Sequence, residues 1–417
     1  MQRAPNPSHQ PPPTHGGIMG HFRLHQLCLV LFAGAATALL PLTVFAAAPA
    51  PPADTVTAWG TMFSAPLTSV ELSPTSVALP GPVAQVGTSN STEYALLTNG
   101  QVWAWGIGDR GQLGDGLTYR APVTTPVQVQ FPAGVAIAFL PTDAMPFDAA
   151  LAVDKTGHVW AWGFAQPEAL CVNGVGKGMN DMIVSPVELG APLTNVTLVA
   201  GASDHTIFDA NGTLYECGEN HDGDLGDGNT KGSLAPVQVV GMQNQDIVSV
   251  VASSVDSGAL LASGSFYEWG NNAQGQLGNG TIGGTSDVPY LVPLPLSATQ
   301  ATEGGDNLTN GSTLVQLSDG SYWSWGADQV GQLGNGSKVN HPTPTEFYAP
   351  AGVTYTTLVC AGEASYGVTA SGAVYAWGEG TYGELGSGAK SNSTAPVLVV
   401  SAGATTVSAT AENIAVA

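Results

Sequence analysis

A strand ending in Trp-Gly, or a close variant of it, recurs seven times along this 417-residue chain, and no other feature limits the fold so strongly. The copies are TVTAWG ending at Gly60, QVWAWG at Gly106, HVWAWG at Gly163, TLYECG at Gly218, SFYEWG at Gly270, SYWSWG at Gly326 and AVYAWG at Gly378. Successive spacings are 46, 57, 55, 52, 56 and 52 residues, and residues 54–417 number 364, or 52 for each of seven copies. A period of that size marks a repeat architecture, in which each copy is one small unit that buries its faces against its neighbours.

Each unit reads as four short strands, named here in sequence order. Strand a follows a Pro, as in PVQV from Pro126 or PVLVV from Pro396; strand b is a β-branched run such as VTLVAG at 196–201 or IVSVVA at 247–252. Strand c is a short apolar run such as YALL at 94–97, and strand d is the Trp-Gly strand. Tight turns join c to d, among them TNG at 98–100, DANG at 209–212 and SDG at 318–320, where Gly and Asn supply the positive φ that hairpins need. With 54 Gly and 29 Pro, turns are abundant and long helices are not expected. In strand d, Trp103 and Trp105 share one side and Val102 and Ala104 the other. Both sides are apolar, so each sheet must be covered on both, which radial stacking achieves. The last copy stops at Ala417 after TTVSATA and NIAVA, where strand d is due, and TVTAWG from Thr55 is the missing piece. The expectation is an all-β, seven-bladed β-propeller of four-stranded blades over residues 54–417, closed by the N-terminal strand completing the C-terminal blade.

A second signature follows Trp-Gly: GQLGDG at 111–116, GDLGDG at 223–228, GQLGNG at 275–280, GQLGNG at 331–336 and GELGSG at 383–388. With these motifs the chain resembles the regulator of chromosome condensation repeat family, over about residues 54–417. TMFSAPLTS and FAQPEALCVNG replace the second signature after Gly60 and Gly163, and Cys217 replaces one Trp. The resemblance implies a seven-bladed propeller that acts as a binding platform, and with an export signal it suggests the secreted bacterial type. It also implies that His often follows strand b; here only His205 does. Glycines in these loops serve turns and close packing. They are not a phosphate site, since no helix follows to offer its N-terminus.

Strand direction alternates, so b–c hairpins and d–a connections emerge on one face. Every b–c hairpin carries an acid: Glu93, Asp148, Asp204, Asp256, Asp306, Glu363 and Glu412. The d–a loops add Asp109, Asp115, Glu219, Asp222, Asp224, Asp227, Asp328, Glu379 and Glu384, so a negative face of solvated acids is expected there, able to dock a basic protein. Asp222, Asp224, Asp227 and Asn229 have an oxygen-rich spacing that can hold calcium. They overlay the ordinary Gly-Gln-Leu-Gly loop and lack a spaced Glu, so no metal and no cofactor is assigned.

Residues 27–48, LCLVLFAGAATALLPLTVFAAA, follow His21, Arg23 and His25 and end in small residues. They read as a signal peptide over 19–48 starting at Met19, with 1–18 an extension or misassigned start and 49–53 a Pro/Ala linker. The expected product is secreted, periplasmic or at the cell surface, a monomer without stable membrane association. It retains 7 Lys+Arg against 31 Asp+Glu, a net charge of 7 − 31 = −24. That balance excludes generic nucleic-acid binding, which needs Lys and Arg to neutralise phosphates. Of its cysteines, Cys171, Cys217 and Cys360 are an odd number without zinc spacing, and Cys217 and Cys360 in apolar strands read as small hydrophobes. No G-x-S-x-G, H-E-x-x-H or Cys–His arrangement occurs. The functional expectation is a non-enzymatic protein-binding propeller, the alternative being an extracellular enzyme on cell-wall polysaccharide with paired carboxylates.

Overall fold

The computed structural model describes residues 55–60, 71–90, 92–141, 145–164, 169–172, 182–305, 310–410 and 413–417, all within the unit Ala50–Ala417. The expected signal segment, Asp306 and Glu412 lie outside these residues. The described residues form seven four-stranded antiparallel sheets and no helix. They are the blades of the expected propeller. Blade 1 runs from Val83 to Gln128, blade 2 from Ile137 to Glu188, blade 3 from Val196 to Gln243 and blade 4 from Ile247 to Leu291. Blade 5 runs from Ala298 to Phe347 and blade 6 from Tyr355 to Val400.

Within each sheet the order is b, c, d, then a: strand a pairs with the Trp-Gly strand that precedes it, as Val123–Gln128 does with Val102–Gly106. Blade 7 therefore takes b (Val407–Ala409) and c (Asn413–Val416) from the C-terminus, and d (Thr55–Gly60) and a (Glu71–Ala78) from the N-terminus. The expected pairing is present, with Trp59 opposite Ile414 and Thr57 opposite Val416. The expectation of a single closing strand is corrected to two, because strand a can only hydrogen-bond to the strand d before it.

The core lies between blades. Trp269 of blade 4 packs with Ala200, Ile207, Leu214 and Val239 of blade 3; Trp377 of blade 6 packs with Leu314, Tyr322 and Phe347 of blade 5. Six d-strand tryptophans, Trp59, Trp105, Trp162, Trp269, Trp325 and Trp377, are fully buried. Each is a large apolar ring whose one polar atom must find an acceptor.

Candidate binding face

For five of the six, all but Trp105, the acceptor is supplied by the Gly-Gln-Leu-Gly loop of the preceding blade. The indole N–H donates to the backbone carbonyl of the second loop residue: Trp162 to Gln112 at 2.8 Å, Trp269 to Asp224 at 2.9 Å, Trp325 to Gln276 at 2.8 Å, Trp377 to Gln332 at 2.9 Å and Trp59 to Glu384 at 2.8 Å. The side chain at that position folds back and accepts a backbone N–H two residues earlier, as Gln112 does from Arg110 at 2.7 Å and Gln276 from Gln274 at 2.7 Å. The glycine two residues on has positive φ and lies under the same indole. A Cβ on Gly226 would stand 2.8 Å from Trp269 Nε1, and one on Gly386 would stand 2.6 Å from Trp59 Nε1. The second sequence signature is thus a latch between blades.

Where the latch sequence is absent after Gly163, its Trp partner is absent too, and a covalent bond stands in its place. Cys171, in the loop of blade 2, forms a disulfide with Cys217, the residue that replaces Trp in blade 3. This corrects the reading of Cys217 as a free apolar residue. The two are 46 residues apart, about one repeat, and the repeat brings their Cα atoms to 5.5 Å. Cys360 is buried and takes no part in that disulfide.

A second recurring bond joins the d–a loop to the b–c hairpin on this face. The N–H after Trp-Gly donates to the carbonyl just before strand c: Phe164 to Asp148, Glu219 to Asp204, Asn271 to Val255, Ala327 to Gly311 and Glu379 to Glu363, all at 2.9 Å. In this register Asp148, Asp204 and Glu363 are equivalent. Asp256 lies one residue further on, paired with Gly270, and Glu93 lies opposite Trp105. One step along a strand turns a side chain to the other side. Hence Asp256, at 2% exposure, is turned inward, while Asp204 and Glu363 are partly exposed; Glu93, at 3%, is buried two steps further along strand c, and Asp148, at 7%, shares the register of Asp204 and Glu363 but is covered by Arg110. The expectation of solvated charges is corrected for Glu93, Asp148 and Asp256: spacing from the Trp resolves neither the strand position that buries Glu93 and Asp256 nor the Arg110 side chain bonded to Asp148. In the d–a loops Asp224, Asp328 and Glu384 are likewise buried, while Asp109, Asp115, Glu219, Asp222, Asp227 and Glu379 reach solvent.

The face also carries cations. Arg110 donates to Asp148 Oδ2 at 2.9 Å and lies 4.6 Å from the centre of the Phe164 ring; Arg120, Lys231, Lys338 and Lys390 stand exposed on the same loops. Loop tips add exposed apolar side chains, Leu117 and Ile282 at 57%, Val339 at 68% and Tyr382 at 47%. Around the axis the b–c hairpins enclose a cavity of about 190 Å³, lined among others by Asn90, Phe147, Ser203, Ser254, Gly305 and Thr410.

Asp222, Asp224 and Asp227 are taken up by the loop and by blade 4: Asn271 Nδ2 of blade 4 donates to Asp222 at 2.6 Å, the Asp222 N–H to Asp224 at 3.3 Å and Asn229 Nδ2 to Asp227 at 2.7 Å. Among the described residues no group of His, Cys, Asp and Glu is arranged to hold a metal ion.

Beneath the face lies a polar cluster that sequence reasoning missed. Glu216 and Glu268 occupy the d-strand position held by Ala58, Ala104, Ala161, Ser324 and Ala376 in the other blades. Both are fully buried between blades. Glu216 accepts from Trp269 Nε1 at 3.1 Å and Ser257 at 3.3 Å; Glu268 accepts from Trp325 Nε1 at 2.9 Å and Thr313 at 2.6 Å. His205, also buried, contacts Asp204 at 3.1 Å and Ser257 at 2.9 Å. Burial pushes the Glu216 carboxyl up to about 8 and Asp224 up to about 6, and it raises Asp256 and Glu268 as well. Burial pulls His205 down, but Asp204, Glu216 and Asp224 outweigh it and lift the imidazole to about 9. Raised carboxyls can serve as general acids, yet Glu216 and Glu268 are closed off between blades, where no polymer chain reaches them. The signal that could have found them was the break in the copies, Glu for Ala in TLYECG and SFYEWG.

Fold and face together define a closed, latched repeat propeller. The chain belongs to the regulator of chromosome condensation (RCC1) repeat family, whose model matches residues 99–139, 211–260, 263–309, 319–365 and 371–412. The human E3 ubiquitin-protein ligase HERC2 is 28% identical over 295 residues, which make up 70% of this chain and 6% of the ligase. The ultraviolet-B receptor UVR8 of Arabidopsis thaliana is 27% identical over 301 residues, 72% of this chain and 65% of the receptor. The chain therefore spans a small part of the ligase and just under two thirds of the receptor. Human WBSCR16 superposes with a TM-score of 0.75 at 19% identity, covering 87% of this chain and 98% of that one. Prp20p from Saccharomyces cerevisiae, a structure described with its binding properties to Gsp1p and histones, gives 0.72 at 18%, covering 88% and 91%. At such identities the likeness is one of fold.

Proposed function

We propose that the chain is exported and acts as a non-enzymatic protein-binding propeller, with a partner of basic surface docking on the b–c and d–a loop face. The observation that carries this reading is the set of exposed apolar tips on that face, Leu117, Ile282, Val339 and Tyr382, standing among the exposed Asp109 and the partly exposed Asp204, Glu219, Asp222 and Glu379. Apolar side chains on well-packed loops do no work in the core, and in a polar rim they are the usual make-up of a protein contact. Export is supported by the apolar segment at 27–48 and by the Cys171–Cys217 disulfide, a bond that persists in oxidising compartments. The burial of Glu93, Asp148 and Asp256 leaves the partner's charge to be met by Asp204, Glu363 and the d–a acids.

The test is capture from culture supernatant and cell-wall extract on the immobilised mature chain, followed by association kinetics with the captured protein. Neutralising Asp204, Glu219, Asp222, Glu363 and Glu379 together is expected to slow association about tenfold at low salt and to flatten its salt dependence. Replacing Leu117, Ile282 and Val339 with Ser is expected to speed dissociation. Unchanged kinetics in both variants would reject this face, and loss of binding on changing Leu296 or Tyr348 at the opposite end would move the contact there.

A further inference from the structure

The b–c hairpins of blades 3, 4 and 5 are tied each to the next where they line the axial cavity. Ser203 Oγ lies 2.8 Å from Ser254 Oγ, and Ser254 Oγ donates to the Gly305 carbonyl at 2.6 Å. Two equivalent turn bonds close the hairpins of blades 3 and 4, Ala202 N–H to the His205 carbonyl and Ser253 N–H to the Asp256 carbonyl, both at 2.9 Å. The side chains of His205 and Asp256 at these equivalent positions enter the buried cluster directly below. Ser253 Oγ also donates to Asp256 Oδ1, so the hairpin backbone and the cluster share a residue.

The cluster gathers titratable groups from three blades. Blade 3 gives Asp204, His205, Glu216, Asp222 and Asp224; blade 4 gives Asp256 and Glu268; blade 5 gives Glu303, which is hydrogen-bonded to Glu268. His205 is the one basic group among the cluster residues named, facing Asp204, Glu216 and Asp224. With so many carboxyls and one imidazole, the compact arrangement depends on protons being held among them.

We propose that blades 3, 4 and 5 form a proton-dependent clasp beneath the binding face, which holds their hairpins closed around the axial cavity while the buried cluster is protonated and loosens them as protons leave. The proposal rests on the docking reading only for its consequence, regulation of that face by pH. The loosening itself belongs to the free protein.

All the groups concerned shift in one direction. Glu216 moves from 4.5 to about 8, Asp224 from 3.8 to about 6 and His205 from 6.5 to about 9, with Asp256 and Glu268 also raised. A raised value means that the folded state binds the proton more tightly than the open state. The stabilisation is therefore complete below the unfolded values and is lost as pH rises through the folded ones, across a window from about 4 to about 9. One unit of difference in a single group is a factor of ten in the opening equilibrium.

The experiment is native-state amide exchange on the partner-free mature chain at pH 5 and pH 8.5, read as protection factors so that intrinsic base catalysis divides out. The amides of Ala202, Glu219, Ser253 and Asn271 report the clasp; those of Phe164 and Glu379 make outside it the bond that Glu219 and Asn271 make within it. Protection at the clasp amides is expected to fall about tenfold or more over that interval, and at the other two by less than about threefold. The Glu216→Gln/Glu268→Gln double variant, which keeps the shape and one acceptor oxygen of each side chain, is expected to remove most of the difference. Should it fold poorly, Glu216→Ala/Glu268→Ala restores the side chain that blades 1 and 6 carry. Equal loss of protection in all blades, or a pH response unchanged in these variants, would overturn the clasp and leave the docking reading untouched.

Discussion

Adding one carbon to the glycine of a Trp-Gly strand sets it against backbone. A Cβ on Gly378, at φ 97°, would lie 2.3 Å from the Glu363 carbonyl oxygen, the acceptor of the bond that ties loop to hairpin. Gly352 has a comparable φ of 80° and nothing within 4 Å of such a carbon. Both substitutions to Ala incur the backbone cost, about 1 kcal/mol, but only Gly378→Ala adds the collision. We expect a loss of about 3 kcal/mol for Gly378→Ala and about 1 kcal/mol for Gly352→Ala in urea unfolding. Equal losses would mean that the loop yields and the contact does not govern the choice of glycine. The sequence showed this glycine plainly, since it recurs with period and partner. It did not show which hairpin acids are buried. Asp204 and Asp256 look alike as acids in a hairpin, yet they sit one step apart in register relative to strand d, and register is fixed by pairing that no single copy displays.

At the scale of the element, five of the seven blade contacts share one recurrent device and a sixth carries a substitute for it. The latch was legible as a motif but not as a contact, because the Trp that it receives lies a full repeat away. The disulfide was illegible for the same reason: the separation of Cys171 and Cys217 means nothing until a repeat of similar length is folded into adjacent blades. If the disulfide does the work of the missing Trp, removing it should cost what a closed loop of that size confers, at most about 4 kcal/mol. We expect Cys171→Ala/Cys217→Ala to unfold at lower denaturant concentration, and a reducing agent to bring the native chain to the same midpoint while leaving the variant unmoved. A native chain indifferent to reduction would assign the blade 2–blade 3 contact to the apolar cluster around Leu170, Val199 and Phe208 alone.

For the whole molecule the decisive event is closure, which the sequence located correctly and counted short. The C-terminus supplies only the inner half of blade 7, and without Thr55–Gly60 the strand Asn413–Val416 presents an open edge. The same loss uncovers the site of Trp59, whose indole is fully buried and bonded to the latch carbonyl of blade 6. The single substitution Trp59→Ala keeps the edge paired and removes only the ring, for a cost of about 3–5 kcal/mol. Deleting residues 54–78 removes ring, pairing and the outer strand Glu71–Ala78 together. That deletion should lower the melting temperature by more than Trp59→Ala does, and it should also make the protein associate with rising concentration, since an unpaired strand invites another chain. The two effects separate by a peptide spanning residues 54–78 added in trans: if closure is what these strands provide, the peptide restores both the melting temperature and the monomer, whereas a Trp59→Ala peptide restores the monomer with a smaller recovery in melting temperature. A deletion that melts with the intact chain, or that no peptide rescues, would show that the ring holds without its N-terminal half-blade.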